Sequence, residues 1–258
     1  MKGIETTGYL LLCLCSMVLA FPLARQSPII LNLNAAPSIR SPISLVSWST
    51  ILTGTYENTR STVLFQPHNG ARVQVRVTGA LGNSINYKFC EFHLHWGQTN
   101  GEGSEHLVIG QPREGELHMV FIRENLECEL AGSYQGADDA LVIGVFFQGS
   151  SISVAGTIWN SLPIPLPGQS ARVSLQLAQL LPSPDRSYGY FHYSGSLTTP
   201  NYNPIVQWYV LQTPIQMPNV YLQQLRDQVV PSNNRAIQPL GGRIITRCDA
   251  VCMVFVNA

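Results

Sequence analysis

The chain has 258 residues, with 15 Lys and Arg against 15 Asp and Glu, a formal charge of +0 and only 12% charged residues. That balance excludes a basic field for nucleic acid and an acidic tract for cations. A length of this order suits one large all-β domain, and 17 Pro with 21 Gly predict many turns and few long helices.

The N-terminus reads as a secretory signal. Lys2 supplies the positive start, and the apolar run Tyr9 to Ala20 has signal-peptide rather than membrane-spanning length. Cleavage is expected after Ala20, which makes 1–20 the signal, 21–258 the domain and the protein secreted. No later run is long and apolar enough to span a bilayer, and the C-terminal VCMVFVNA is too short for a lipid-anchor signal. Beyond the signal remain Cys90, Cys128, Cys248 and Cys252. They allow three full pairings that sequence does not rank, although Cys248 and Cys252 are the readiest to meet and Cys90 can equally be a buried thiol. There is no N-x-Ser/Thr acceptor, so N-glycosylation is not expected.

Strand-like alternation or β-rich apolar runs follow at Arg72–Thr78, Tyr87–Trp96, Glu116–Ile122, Leu141–Phe147, Tyr188–Tyr193 and Ile205–Leu211. Clusters of Gly, Pro, Asn and Ser separate them. Short helical turns fit near Leu175–Leu181. One helix is predicted at Pro218–Gln228, with Val220, Leu222 and Leu225 at core spacing and Pro231 beyond it. With no internal repeat, the fold class is mostly β, with minor helices on one large sheet.

Within the second run stands FCEFHLHWG, residues 89–97. Alternate residues of a strand share a face, so Glu91, His93 and His95 are expected on one side, and Cys90, Phe92, Leu94 and Trp96 on the other. A half-solvated edge strand would show the same pattern. The next run adds Glu116-Leu117-His118 and a third imidazole. Three neutral imidazoles leave one tetrahedral position of a zinc ion open, the catalytic pattern, and no cysteines stand at structural-zinc spacing. Glu116 shares the face of His118 and is placed to accept its free ring N–H, which fixes the tautomer.

Two more stretches, Gly103–His106 (GSEH) and Tyr193–Pro200 (YSGSLTTP), complete an ordered series: F-H-L-H-W-G, G-S-E-H, E-L-H, G-S-L-T-T-P, a tryptophan, then Q-P-L-x-x-R ending at Arg243. In this order and spacing, from Arg25 to Arg243, the chain resembles the alpha-class carbonic anhydrases. The resemblance implies a single domain on a large, twisted, predominantly antiparallel sheet of about ten strands. It implies a Zn2+ ion at the bottom of a cone-shaped cavity and reversible hydration of CO2 to bicarbonate and a proton. The implied partner is that small-molecule substrate, with no nucleic acid and no membrane span.

Carried over by residue, His93, His95 and His118 match the zinc ligands. Thr198 matches the residue whose hydroxyl accepts a hydrogen bond from zinc-bound hydroxide, and Glu105 the buried carboxylate that takes the Thr198 proton. Thr199 matches the residue at the bicarbonate position. Val120, Val142, Leu197, Val206 and Trp208 match the apolar CO2 pocket, although by residue type alone all five are ordinary core. Glu91, Glu116, His106 and Tyr193 are expected to support the ligands from behind. The family usually has Gln at the position of Glu91, and a carboxylate there should favour zinc retention and make bound water less acidic.

Departures from the family pattern accompany the matches. The aromatic segment upstream of Arg25 is almost entirely missing, which leaves the packing of one cavity wall open. The cysteine that usually follows T-T-P-P is absent with its N-terminal partner. Asn201 replaces the second proline, so a trans bond is expected there. Arg113 replaces an aromatic, and Asn234 a tryptophan. Ala71, in Asn69–Val75, stands where fast members carry a proton-shuttling histidine; His68 is the nearest substitute, and proton export is expected to be slow. The competing reading is a weakly active or silent binding or matrix protein on the same fold, which the three retained histidines disfavour.

Overall fold

The computed structural model describes residues 25–68, 72–78, 82–128, 136–151, 157–182, 188–249 and 251–256. The expected signal, 1–20, and Ala71 lie outside the described residues. Fifteen strands are described: β1 (Ile30–Leu31), β2 (Ile43–Val46), β3 (Leu52–Asn58), β4 (Val63–Pro67), β5 (Gln74–Thr78), β6 (Ser84–Trp96), β7 (Leu107–Val108), β8 (Gly115–Arg123), β9 (Ala140–Ser150), β10 (Ser170–Leu175), β11 (Tyr190–Gly195), β12 (Val206–Leu211), β13 (Ile215–Pro218), β14 (Thr246–Cys248) and β15 (Met253–Val256). Thirteen of them form one twisted sheet whose main path runs β10-β3-β4-β6-β8-β9-β12-β11-β14, and β1 pairs separately with β7. Most neighbours are antiparallel, while β9 takes β12 and β13 in parallel and β15 joins β2 in parallel.

The six runs read from sequence are all strands of this sheet, and β6 is no edge strand. One edge of β6 pairs with β5 and then β4, and the other pairs with β8. Short strands such as β2, β4 and β13 escaped the sequence pattern because four or five residues carry too little periodicity. Among the described residues one α-helix, α1 (Asn219–Gln228), follows β13, and a 3-10 turn at Leu177–Leu180 falls where turns were expected. Its buried positions correct the expectation: Tyr221, Leu222 and Leu225 face inward, while Val220 is 71% exposed. The Tyr221 hydroxyl meets that of Tyr56 at 2.8 Å, which gives a large aromatic a polar partner inside and rotates the helix accordingly.

Strand alternation divides the apolar residues between two faces. Leu117, Met119 and Phe121 of β8, with Leu141, Ile143, Val145 and Phe147 of β9, belong to a main core on one face. Val120, Val142, Val206 and Trp208 belong to a second cluster on the other. In β6 the alternation is broken once. Phe89 pairs with Phe121 and Glu91 with Val120, so Cys90 is an unpaired bulge residue. Before the bulge, Tyr87 and Phe89 enter the main core; after it, Phe92, Leu94 and Trp96 do. Cys90 therefore lies in the second cluster, not with Phe92 as its number suggests. It is bonded to Cys128, and Cys248 is bonded to Cys252.

Phe92 anchors the main core under this sheet, stacked on Phe65 at 5.1 Å and tilted against Tyr56 at 6.1 Å. Removing a fully buried ring from such a layer leaves a cavity that the strands cannot close. Phe92→Ala should lower the free energy of urea unfolding by about 3–5 kcal/mol; a loss below about 1 kcal/mol would show that this stack is not what clamps β3, β4 and β6 together.

Candidate active site

The bulge in β6 turns Glu91, His93 and His95 to the face opposite the main core. Across the ladder His93 stands opposite His118 and His95 opposite Glu116. The three imidazoles converge, with ring centroids 5.0 Å (His93–His95), 5.4 Å (His93–His118) and 4.6 Å (His95–His118) apart. One ring nitrogen from each lies within 4.8 Å of the others, close enough to share a metal ion.

Each ring has an acceptor near its far nitrogen. His93 Nδ1 donates to Glu91 Oε1 at 3.1 Å, and His95 Nδ1 donates to the Asn233 carbonyl at 3.1 Å, with Glu105 Oε1 at 3.3 Å. His118 turns Nε2 toward Glu116 Oε1 at 3.1 Å, though outside hydrogen-bond alignment. These contacts leave His93 Nε2 and His95 Nε2 buried without partners and His118 Nδ1 as the remaining donor. Burial, reinforced by the neighbouring His118 and His93 rings, pushes His95 well below the ordinary imidazole range. Burial also takes His118 down to about 4, against the pull of Glu116. Neutral imidazole is the form that binds metal.

A second cluster, His106, Glu116 and His118, is equally tight, but its atoms are already committed. His106 pairs Nδ1 with Glu116 Oε1 at 2.8 Å and Nε2 with the Tyr193 hydroxyl at 2.6 Å, and its backbone N–H donates to Glu116 Oε2 at 2.8 Å. Tyr193 continues to Ser27 Oγ at 2.8 Å. Burial raises the Glu116 carboxyl, yet His106 and His118 outweigh it and hold it below the usual carboxylate range. The expected supporting residues Glu116, His106 and Tyr193 thus form one buried chain behind His118.

The open side is a cavity of about 510 Å³ whose lining includes His93, His95, Val120, Leu197, Thr198 and Thr199, and also Leu64, Glu91, Tyr202 and Arg235. Val142, Val206 and Trp208 are buried in the same apolar cluster as Val120 and Leu197, and Trp208 meets the edge of His118 at 4.8 Å. Glu105, 1% exposed, is lifted by burial to about 8, against the Thr198 hydroxyl and the Arg235 backbone N–H that donates to it at 2.8 Å. The Arg235 guanidinium lies 3.7 Å over the Tyr202 ring and donates to Ser27 O and Gln26 Oε1. Asn201 and Tyr202 take φ values of 83° and 44°, and proline cannot adopt the first. The Pro200–Asn201 bond is trans, as expected.

Residues 20–249 match the family described as eukaryotic-type carbonic anhydrase. The chain belongs to that family. Carbonic anhydrase 1 of Oryctolagus cuniculus is 33% identical over 175 residues, 63% of this chain and 73% of the rabbit protein. Carbonic anhydrase 12 of Homo sapiens is 32% identical over 157 residues, 58% of this chain and 44% of the human protein. A putative carbonic anhydrase 5 of Caenorhabditis elegans is 35% identical, and the chain spans 54% of its length. Membership places the protein among the carbonate dehydratases, the enzymes of CO2 hydration.

Sequence reading missed three contributors. Asn233 presents its carbonyl to His95 while its side chain accepts from Trp96 N–H at 2.8 Å and donates to Leu94 O at 2.9 Å, which fastens the loop after α1 to β6. A backbone carbonyl leaves no trace in residue type. Ser27 closes the Tyr193 chain from 166 residues away. Gly144 lies opposite His118, and a Cβ there would come within 2.6 Å of Glu116 Oε1. That oxygen is tied to His106 and cannot swing aside freely. Gly144→Ala should therefore lower zinc affinity about 10–100-fold, measured by competition with a chromophoric chelator; unchanged affinity would show that Glu116 tolerates displacement.

Proposed function

We propose that the protein is a secreted enzyme that reversibly hydrates CO2 to bicarbonate and a proton, using zinc held by His93, His95 and His118. The observation that carries this reading is the pair of buried, unpartnered Nε2 atoms of His93 and His95 beside the neutral His118 ring. Three neutral nitrogen donors facing an open cavity suit zinc in a catalytic setting. Zinc held this way supplies Lewis acidity that makes hydroxide available from water near neutral pH, with a water pKa of about 7 that is characteristic of the family and not read from this chain.

The chain's own residues supply the rest. Thr198 gives its proton to Glu105, so its oxygen is left only as an acceptor toward the cavity, and the nucleophile's lone pair is directed by elimination. Burial opposes the ionised form of Glu105, and a positive charge at the histidine cluster favours it. Val120 and Leu197 offer CO2 an apolar wall, backed by Val142, Val206 and Trp208. Thr199 holds the polar side, where the product carries its charge. Among the described residues no helix is long and apolar enough to cross a membrane.

Two outcomes test this reading. Purified wild-type protein should carry one zinc per chain, and His118→Ala should lose zinc and CO2 hydration together; full zinc retention in His118→Ala overturns the ligand set. The proton produced must also leave, and imidazole is the side chain suited to carry it at neutral pH. Ala71 carries no titratable group, and the nearby His68 is bonded to Thr55 Oγ1 at 3.0 Å. Turnover at saturating CO2 should then rise with imidazole-type buffer, and Ala71→His should raise kcat at low buffer while leaving kcat/KM nearly unchanged. Fast, buffer-independent turnover in the wild type would show that another group already exports the proton.

A further inference from the structure

Glu91 occupies a divided position. It lines the active-site cavity, and it also lines a neighbouring cavity of about 410 Å³ that holds Gln66, His68 and Lys88. The second cavity offers its carboxylate a cation and an imidazole as rival partners for His93. The same cavity has the Cys90–Cys128 disulfide in its wall, directly beside Glu91. Cys90 is also the extra residue of the β6 bulge, which has no partner on β8. A bulge residue contributes no ladder bonds of its own, so its orientation must be held by something else. Cys128 supplies that hold from the segment that follows β8, 38 residues along the chain.

Resting on the zinc reading above, we infer that the Cys90–Cys128 disulfide is a positioning device for Glu91 and, through it, for the His93 ring. The cross-link anchors the bulge, and its bulk walls Glu91 toward His93 Nδ1. With the link open, the bulge residue is free to turn, and Glu91 can reach Lys88 or His68 instead. His93 then loses the acceptor that fixes its tautomer, and zinc is held less tightly. Metal retention is thereby coupled to the oxidised state of one disulfide. Opening it with a dithiol consumes two electrons and two protons from the reagent, which leaves two thiols on the chain and one disulfide on the dithiol.

The test is a double-mutant cycle read by zinc loss to excess chelator, not by activity. Four proteins are compared: wild type, Glu91→Ala, Cys90→Ala with Cys128→Ala, and the triple variant. Glu91→Ala and the cysteine-free variant should each release zinc about 10-fold faster than wild type, and the triple variant no faster than the cysteine-free one. The cobalt-substituted cysteine-free protein should share the visible absorption of cobalt-substituted Glu91→Ala. If Glu91→Ala speeds release by the same factor with and without the disulfide, the two act independently and the inference falls. If the cysteine-free chain does not fold, oxidised and dithiol-reduced forms of wild type and Glu91→Ala complete the same cycle, with thiol alkylation confirming reduction. Absence of zinc from the wild type itself would instead overturn the zinc reading.

Discussion

A β-strand offers each face only every second residue, and the whole active site depends on one interruption of that rule. Tyr87 and Phe89 of β6 are buried in the main core. Continued without a break, their face would take Glu91, His93 and His95 as well, and three polar groups would enter a layer of stacked aromatics. The unpaired Cys90 exchanges the faces. Downstream, Phe92, Leu94 and Trp96 inherit the core, and the two histidines reach the cavity side, opposite His118 and Glu116. A one-residue insertion in the ladder thus converts a core strand into a ligand-bearing one without disturbing the packing on either side.

The site formed there is a problem in burying polar groups. Isolated imidazoles and carboxylates in a dry interior are costly unless each has a partner. The fold pairs them in chains: Glu91 with His93, the Asn233 carbonyl with His95, and Glu116 with His106, Tyr193 and Ser27 behind His118. The buried Nε2 atoms of His93 and His95 stay without a partner, on the side where a cation would sit. Burial keeps His95 and His118 neutral, so the groups that make the site expensive to bury also keep it ready for metal.

Much of this was legible in the chain itself. The six long strand runs, the H-x-H and E-x-H pairs and the segments carrying Glu105 and Thr198 are local patterns, and local patterns survive in sequence. Where reading failed, the cause was register or rotation. A regular alternation places Cys90 with Phe92, because alternation cannot reveal a bulge. The helix pattern places Val220 inward because it ignores the hydroxyl pair of Tyr56 and Tyr221, which turns the aromatic inward and leaves Val220 in solvent.

The sequence by itself determined the donor types, their pairing along strands and the membership of the chain among the carbonic anhydrases, because imidazoles two residues apart on a strand must share a side. Only the tertiary structure decided which side that is, through the bulge at Cys90, and which cysteines join. It also decided which acceptors orient the rings. Asn233 lies 138 residues from His95, and its backbone carbonyl is a group every residue possesses. Such contacts depend on where the chain returns in space, and one-dimensional order holds no measure of that distance.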